Sequence, residues 1–409
     1  MGSELILRGV EVPSHTKSIW SALALKEAPS IVEEIHLDYI EAGSDYITIN
    51  NYAVTRPILS RENLEKKLEN LTIKSAEIAQ TAVLKSKQER VKILGSLPPL
   101  QTSYRADLIL PEEEMDRQYS EIANILKNKV DIIICETMAS ALEAKCALRA
   151  ALNTNMPVWL SWTLHGDKVN TLPSGETVEK AFAELKGLEP DAYLINCCAA
   201  NLVAPSIKVL KEVTDVPLGG YANAENITVD INSSKSKYAE ERHWDSAVKI
   251  NERAYLNEVK QWIKEGATIV GGCCRTRPSY IKELSDNQIV AYVKGENNLN
   301  DRMIFFFRKE NCTKPAHYFV LNQTSEKDEV PVLINGTELK LPITKTGKTE
   351  LGKDLIFLFK GYNLPDLFVN YYSKNDQVNL KIKNTNFEEN FDVSSIQAVF
   401  DGAMELCLE

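Results

Sequence analysis

Seven short apolar runs, each separated from the next by a helical stretch, limit what this chain can fold into more than any other feature. They are YITIN (46–50), VKILG (91–95), VDIIICE (130–136), PVWLSW (157–162), AYLIN (192–196), VPLGGY (216–221) and TIVGG (268–272). Alternation of this kind builds parallel sheets, because a parallel pair needs a long crossover and a helix supplies it. The stretch SIVEEIHLDYIEAG sets Ile31, Ile35 and Tyr39 on one helical face and stops at Gly43. A second, PEEEMDRQYSEIANILKNK, opens with Pro111 and three glutamates and closes with Lys127 and Lys129, matching the helix dipole at both ends. The expected fold class is α/β, a (β/α)8 TIM barrel with its chemistry at the C-terminal ends of the strands. Seven runs leave one strand to find, and it belongs before MGSELILRG.

After residue 285 the texture changes. MIFFF, HYFVLNQ, VPVLING, ELKLPI, DLIFLF, DLFVNYY and VNLKIK follow one another with Asn-Gly, Lys-Gly and Asn-Leu-Pro turns between them. That is the pattern of a separate antiparallel β module, a sandwich or small barrel. It is expected to end near Asn384, followed by a polar connector, NTNFEENFDVS, and a last run, SIQAVFDGAM. The expected organisation is a barrel over residues 1–288, a β-rich accessory module over 289–390 and a C-terminal segment over 391–409.

A formal net charge of −10 argues against nucleic-acid or anionic-membrane partners, which require clustered Lys and Arg. No run of eighteen apolar residues is present, and the N-terminus lacks the basic start of a signal peptide. A cytoplasmic protein acting on small molecules is the expectation. Its oligomeric state is not set by these features. The eight cysteines include two adjacent pairs, awkward for a disulfide framework and ordinary for metal ligation in a reducing compartment.

Those pairs carry the strongest chemical signal, IVGGCCRTRP (269–278) with LINCC (194–198). Three thiolates and one open position make a catalytic zinc arrangement. Cys273 and Cys274, as neighbours, point apart on a regular strand and converge only where the strand breaks, a break expected at Gly271-Gly272. Cys197 sits at the end of a strand two places earlier, and alternate barrel strands share an interior layer. Cys135, Cys146, Cys198, Cys312 and Cys407 are read as packing residues.

GGCCRTRP, the upstream INC, CETM (135–138) and AGSDYITINNY (42–52) together resemble the homocysteine S-methyltransferases, zinc-dependent (β/α)8 barrels, over about residues 1–288. GSLPPLQTSYRADL and SWTLHGD with LPSGET are most similar to bacterial members of the S-methylmethionine type. The resemblance implies Zn2+ on Cys197, Cys273 and Cys274, and Glu136 as the carboxylate that binds the substrate amino group. It implies further substrate contacts from Asn50 and Tyr52, although Ile49 and Asn51 replace two threonines of the family's stretch, and YANAEN has Ala222 where proline is usual. Arg275 is read either as offsetting negative charge or as holding a substrate carboxylate.

The family's first strand ends in an Asp-Gly turn whose aspartate is a second anchor for the amino group. In this chain that element stands at the other end, in AVFDGAMELCLE. The expectation is a circularly permuted barrel in which the C-terminal segment supplies strand one and Asp401 the anchor. The alternative is a tail that forms the outermost strand of the β module. The implied activity moves a methyl group from a sulfonium donor such as S-methylmethionine to the zinc-bound thiolate of homocysteine, giving methionine. Alternatives are a catalytically inactive zinc and amino-acid sensor on the same barrel, or a methyltransferase with a betaine or corrinoid-linked donor.

Overall fold

A computed structural model describes residues 1–286, apart from 15–16, 89, 167 and 228–246, together with eight strands beyond them. The chain divides into two units, Met1–Asp286 and Asn287–Glu409.

The first unit is built on a parallel sheet of seven strands, each at one of the seven apolar runs. They are β1 (Tyr46–Thr48), β2 (Lys92–Leu97), β3 (Ile132–Met138), β4 (Val158–Trp162), β5 (Ala192–Ala199), β6 (Leu218–Asn223) and β9 (Ala267–Gly272), hydrogen-bonded in that order. A short antiparallel ribbon, β7 (Glu225–Ile227) with β8 (Ala247–Lys249), lies between the last two in sequence. The order is the barrel's sequential winding. Among the described residues β1 and β9 are the two ends of the sheet; of the segment 391–409, expected to return as the first strand, residues 393–409 lie outside the described residues.

Two apolar layers follow from the period-2 alternation of strand side chains. Leu94, Ile132, Ile134, Trp159, Ala192 and Leu194 pack together on one face, with Tyr221 and Ile269 against them. The opposite face, carrying Ile93, Ile133, Cys135, Leu160, Tyr193 and Ile195, merges with the helices in the main core. Cys135, Cys146 and Cys198 lie in that core as expected. Strand contact is close at Gly219, where a Cβ would stand 2.4 Å from the carbonyl oxygen of Ile269. Only glycine lets β9 approach there.

The helices form where their patterns place them. Pro29–Glu41 buries Val32, Ile35, His36 and Ile40. Glu112–Leu126 starts with Glu112, Glu113 and Glu114 in its first turn after Pro111. The helix Ala141–Leu152 opens on a reciprocal cap: Ser140 Oγ accepts from Glu143 N at 3.1 Å, and Glu143 Oε2 accepts from Ala139 N at 3.1 Å. Glu143 is buried, and burial pushes its carboxyl up to about 7.

A carboxyl held above its unfolded value favours folding fully below about pH 4.5, and that contribution is lost as pH rises through about 7. Glu143→Gln keeps the acceptor for Ala139 N and removes the ionisation. Its denaturation midpoint is expected to gain on the wild type between pH 5 and 8, by up to about 3 kcal/mol. A constant difference over that range would show that Glu143 does not titrate there.

The second unit carries an eight-stranded antiparallel sheet. Its strands are β10 (Ala291–Lys294), β11 (Arg302–Phe306), β12 (Ala316–Leu321), β13 (Glu329–Ile334), β14 (Thr337–Lys348), β15 (Asp354–Lys360), β16 (Gln377–Ile382) and β17 (Glu388–Asp392). Their order is β10-β11-β12-β15-β14-β13-β16-β17. The strands β13 and β14 pair in a register that opens at Ile334 and Thr337, and the Asn-Gly between them, expected as a turn, lies outside the described residues. The stretch read as a polar connector contains β17, which pairs with β16 over Gln377–Lys381. Its Asn, Glu and Asp side chains hid it, because strand signals rest on β-branched and aromatic residues. DLFVNYY, expected as a strand, lies outside the described residues.

Candidate active site

The strands that bury apolar side chains low on the inner face change character one step nearer their C-terminal ends. Following the same alternation, Ser96 of β2, Glu136 of β3, Ser161 of β4, Asn196 of β5 and Tyr221 of β6 succeed Leu94, Ile134, Trp159, Leu194 and Gly219. A polar layer therefore caps the apolar one, and each member is positioned by a strand rather than a loop. Tyr221 donates its hydroxyl to Glu136 Oε2 at 3.3 Å. Glu136 is 7 % exposed, and burial raises its carboxyl pKa against the opposing effect of that hydroxyl. The Ser96 hydroxyl and, at longer range, the N-terminal ammonium also oppose the rise, and among the described residues Glu136 makes no salt bridge.

Above this layer stand three thiols. The sulfurs of Cys197, Cys273 and Cys274 all lie within 4.8 Å of one another, and Cys197 Sγ is 3.8 Å from Cys274 Sγ. Thiolates about 2.3 Å from a tetrahedral metal stand about 3.8 Å apart, so the donor set fits a soft ion such as zinc. The neighbouring thiols of Cys197 and Cys274 push the Cys273 thiol well above its ordinary value. Three sulfur anions cannot share this space without a cation.

The convergence has a local cause different from the one the glycines suggested. Cys273 continues the ladder, donating its N–H to Ala222 O at 2.7 Å. The chain then turns at Arg275, which has φ +66°, while Thr276 Oγ1 donates to Cys273 O at 2.8 Å. Gly272 serves this turn by its lack of bulk: a Cβ there would meet Thr276 Oγ1 at 2.2 Å. On β5, Cys197 is itself left-handed, φ +54°, where the pairing with β6 shifts register between Asn196 and Ala199. The bulge swings its sulfur toward β9 instead of leaving it in the strand's alternation. Thr137, after Glu136, repeats the device with φ +62° beside a register shift in β3. Non-glycine residues in that region cost on the order of 1–3 kcal/mol each and persist only when their surroundings hold them.

Hydrogen bonds supply that hold around the cysteine pair. Cys274 N donates to Asn223 Oδ1 at 3.1 Å, Asn223 Nδ2 donates to Glu225 Oε1 at 3.0 Å, and Arg275 Nη1 bonds Glu225 Oε2 at 2.8 Å. Arg275, read from sequence as a charge offset or a substrate contact, thus has its guanidinium on buried Glu225. Tyr52 and Asn50 sit after β1. Tyr52 bonds Ser103 Oγ through its hydroxyl at 2.7 Å, and burial, then the charges of Cys197 and Glu136, raise its pKa well above the ordinary value. Asn50 donates to Ser21 O at 2.9 Å, and its buried Oδ1 has no hydrogen-bond partner. Asn51, a departure from the family stretch, exchanges hydrogen bonds with the backbone of Ser96 at 2.8 and 3.1 Å.

Asp401 lies outside the described residues. Trp262 is buried and donates to Ala200 O at 3.0 Å. Tyr104, Thr137, Asn196, Tyr221 and Asn223 were not read as site residues from sequence. Tyr104, on the loop after β2, brings its hydroxyl 2.8 Å from Cys197 Sγ. The neutral tyrosine carried no spacing signal in SLPPLQTSYRADL. Tyr221 was legible in principle, since alternation from Gly219 puts it inside.

These strands and thiols define a class: parallel α/β barrels with a three-cysteine group able to hold a metal at the mouth. The chain belongs to one family within it, that of homocysteine S-methyltransferases, whose family model matches residues 1–288. Homocysteine S-methyltransferase 4 of Zea mays is 28% identical over 309 residues, covering 70% of this chain and 86% of its own length. Selenocysteine Se-methyltransferase of Brassica oleracea var. italica is 29% identical, covering 65% and 81%. The metallated crystal form of the homocysteine methyltransferase MmuM from Escherichia coli superposes with a TM-score of 0.58 at 25% identity, covering 70% of this chain and 94% of that one. Among the described residues no helix is long and apolar enough to cross a membrane.

Proposed function

We propose that the chain transfers a methyl group from a sulfonium donor, S-methylmethionine or one like it, to homocysteine, forming methionine. The observation that carries this reading is the three-thiol cluster beside a buried carboxylate that makes no salt bridge among the described residues. Cys197, Cys273 and Cys274 would hold a zinc ion. Bound there, zinc would supply a fourth coordination place in which the homocysteine sulfur reacts as a thiolate at neutral pH. Glu136 receives the ammonium group and so orients the sulfur for in-line attack. The sulfur lone pair forms the new S–CH3 bond while the donor's C–S pair returns to its own sulfur, releasing a neutral thioether. No general base is needed for the displacement. Tyr52 and Asn50 contribute to the acceptor pocket, and Arg275 braces the cysteine turn through Glu225 and Asn223.

Asp401 is the proposed second anchor of the ammonium group, and residues 397–401 the proposed first strand. Supporting both is the sheet with ends at β1 and β9 among the described residues. A reducing cytoplasmic setting suits the thiols.

Methionine formation measured by mass spectrometry with zinc-loaded protein, homocysteine and a donor panel of S-methylmethionine, S-adenosylmethionine and betaine tests the reading. Product is expected from a sulfonium donor, and Asp401→Asn is expected to raise the homocysteine KM about tenfold or more. An unchanged KM would return the tail to the β module. Product from betaine alone would move the donor class, and no product from any donor would leave the sensor reading in its place. Selenocysteine, the substrate named for the Brassica relative, belongs beside homocysteine as an acceptor.

A further inference from the structure

Asn196 precedes Cys197 on β5 and is fully buried, 0 % exposed. Its Oδ1 accepts from Thr137 N at 2.9 Å and from Ser161 Oγ at 2.7 Å, and its Nδ2 donates to Thr137 Oγ1 at 2.8 Å. A backbone N–H can only donate, so the orientation of the amide is fixed. The strands β3 and β5 are not neighbours: β4 lies between them and contributes Ser161. One side chain thus reaches across a strand to grip the left-handed residue that follows Glu136. The residue after Asn196, Cys197, is left-handed as well.

We propose that Asn196 is a positioning residue that fixes the span between the Glu136 carboxylate and the Cys197 sulfur, so that an amino-acid thiol is gripped at both ends. The inference rests on the methyl-acceptor reading above and deepens it. Each left-handed residue has a more comfortable backbone alternative. Without the amide, Thr137 is free to relax and carry Glu136 with it, and the distance from carboxylate to sulfur ceases to be set. Outer partners that orient a binding group cost about 10–100-fold when removed. A thiol without an ammonium group uses the sulfur end alone and does not sense that span.

The test is a visible-absorption titration of the full chain loaded with Co2+ in place of zinc, using homocysteine and 1-propanethiol as probes. Wild type is compared with Asn196→Ala and with Thr137→Val, which removes one arm of the amide's contacts and keeps a β-branched side chain. Asn196→Ala is expected to weaken homocysteine binding about tenfold or more and to leave 1-propanethiol within about twofold. Thr137→Val is expected to shift the same ratio by a smaller factor, and carries the test if Asn196→Ala does not fold. Equal losses for both thiols, or no loss, would overturn the positioning role. If wild type binds homocysteine no more tightly than 1-propanethiol, the acceptor reading itself fails, and the inference with it.

Discussion

Cys273→Ala is expected to leave the purified chain with almost no bound zinc after dialysis and to lower methyl transfer by on the order of a thousandfold or more. The argument is one of ligand count. A three-thiolate site reduced to two keeps neither the charge nor the geometry that a tetrahedral ion requires. Even partners outside the ligand shell cost about 10–100-fold in affinity, and a ligand itself costs more. Cys273 is the severest choice, because its N–H also ties the turn to Ala222 O and its sulfur lies close to both of the others. Cys198→Ala is the matched control. Cys198 packs in the apolar core behind β5, so its loss is expected to cost about 1 kcal/mol of stability and no metal. Zinc per chain by plasma mass spectrometry decides the matter: full zinc in Cys273→Ala, or none in Cys198→Ala, would move the metal site elsewhere.

The same contrast between neighbouring cysteines shows how far the sequence could be read. Alternation set Cys135 on the opposite face from Glu136, whose role came from the family resemblance, and a rule of period two needs nothing beyond the chain itself. Cys197 breaks that rule. It lies next to Asn196, which points inward by alternation, and reaches the cluster only through a left-handed bulge. No propensity marks a cysteine or a threonine for such a conformation. Cys197 was therefore found through chemistry, as a thiol matching a pair, while Thr137 and Asn196 passed unremarked because hydroxyl and amide groups carry no comparable signature. The role given to Gly271-Gly272 shows the complementary error. Glycine invites a conformational explanation, and here the reason is the closeness of Thr276. In the second unit, β17 was hidden by its own polarity. Local composition finds strands that bury a face, and a strand recruited by its neighbour's backbone leaves little trace.

Glu136→Gln is expected to raise the homocysteine KM about a hundredfold while changing kcat far less, and at the same time to stabilise the fold. Both effects come from one fact. The carboxyl is buried and its pKa raised by that burial against the Ser96 and Tyr221 hydroxyls, so the unliganded protein bears the cost of an anion that makes no salt bridge among the described residues. An arriving ammonium group supplies the missing charge, and a charge-assisted hydrogen bond of up to about 3 kcal/mol corresponds to about a hundredfold in binding. The amide keeps the shape and one acceptor but not the charge, so the substrate loses its anchor while the empty site loses its penalty. The sign of the pH dependence follows. As pH falls through the raised pKa, the wild-type carboxyl takes up a proton and homocysteine binding weakens. In Glu136→Gln that weakening disappears, leaving only the titrations common to both proteins. Steady-state KM between pH 5.5 and 8, with denaturation midpoints for the two proteins, measures both consequences. A KM close to wild type, or an amide variant less stable than its parent, would mean that Glu136 serves the fold and that the ammonium group is held elsewhere.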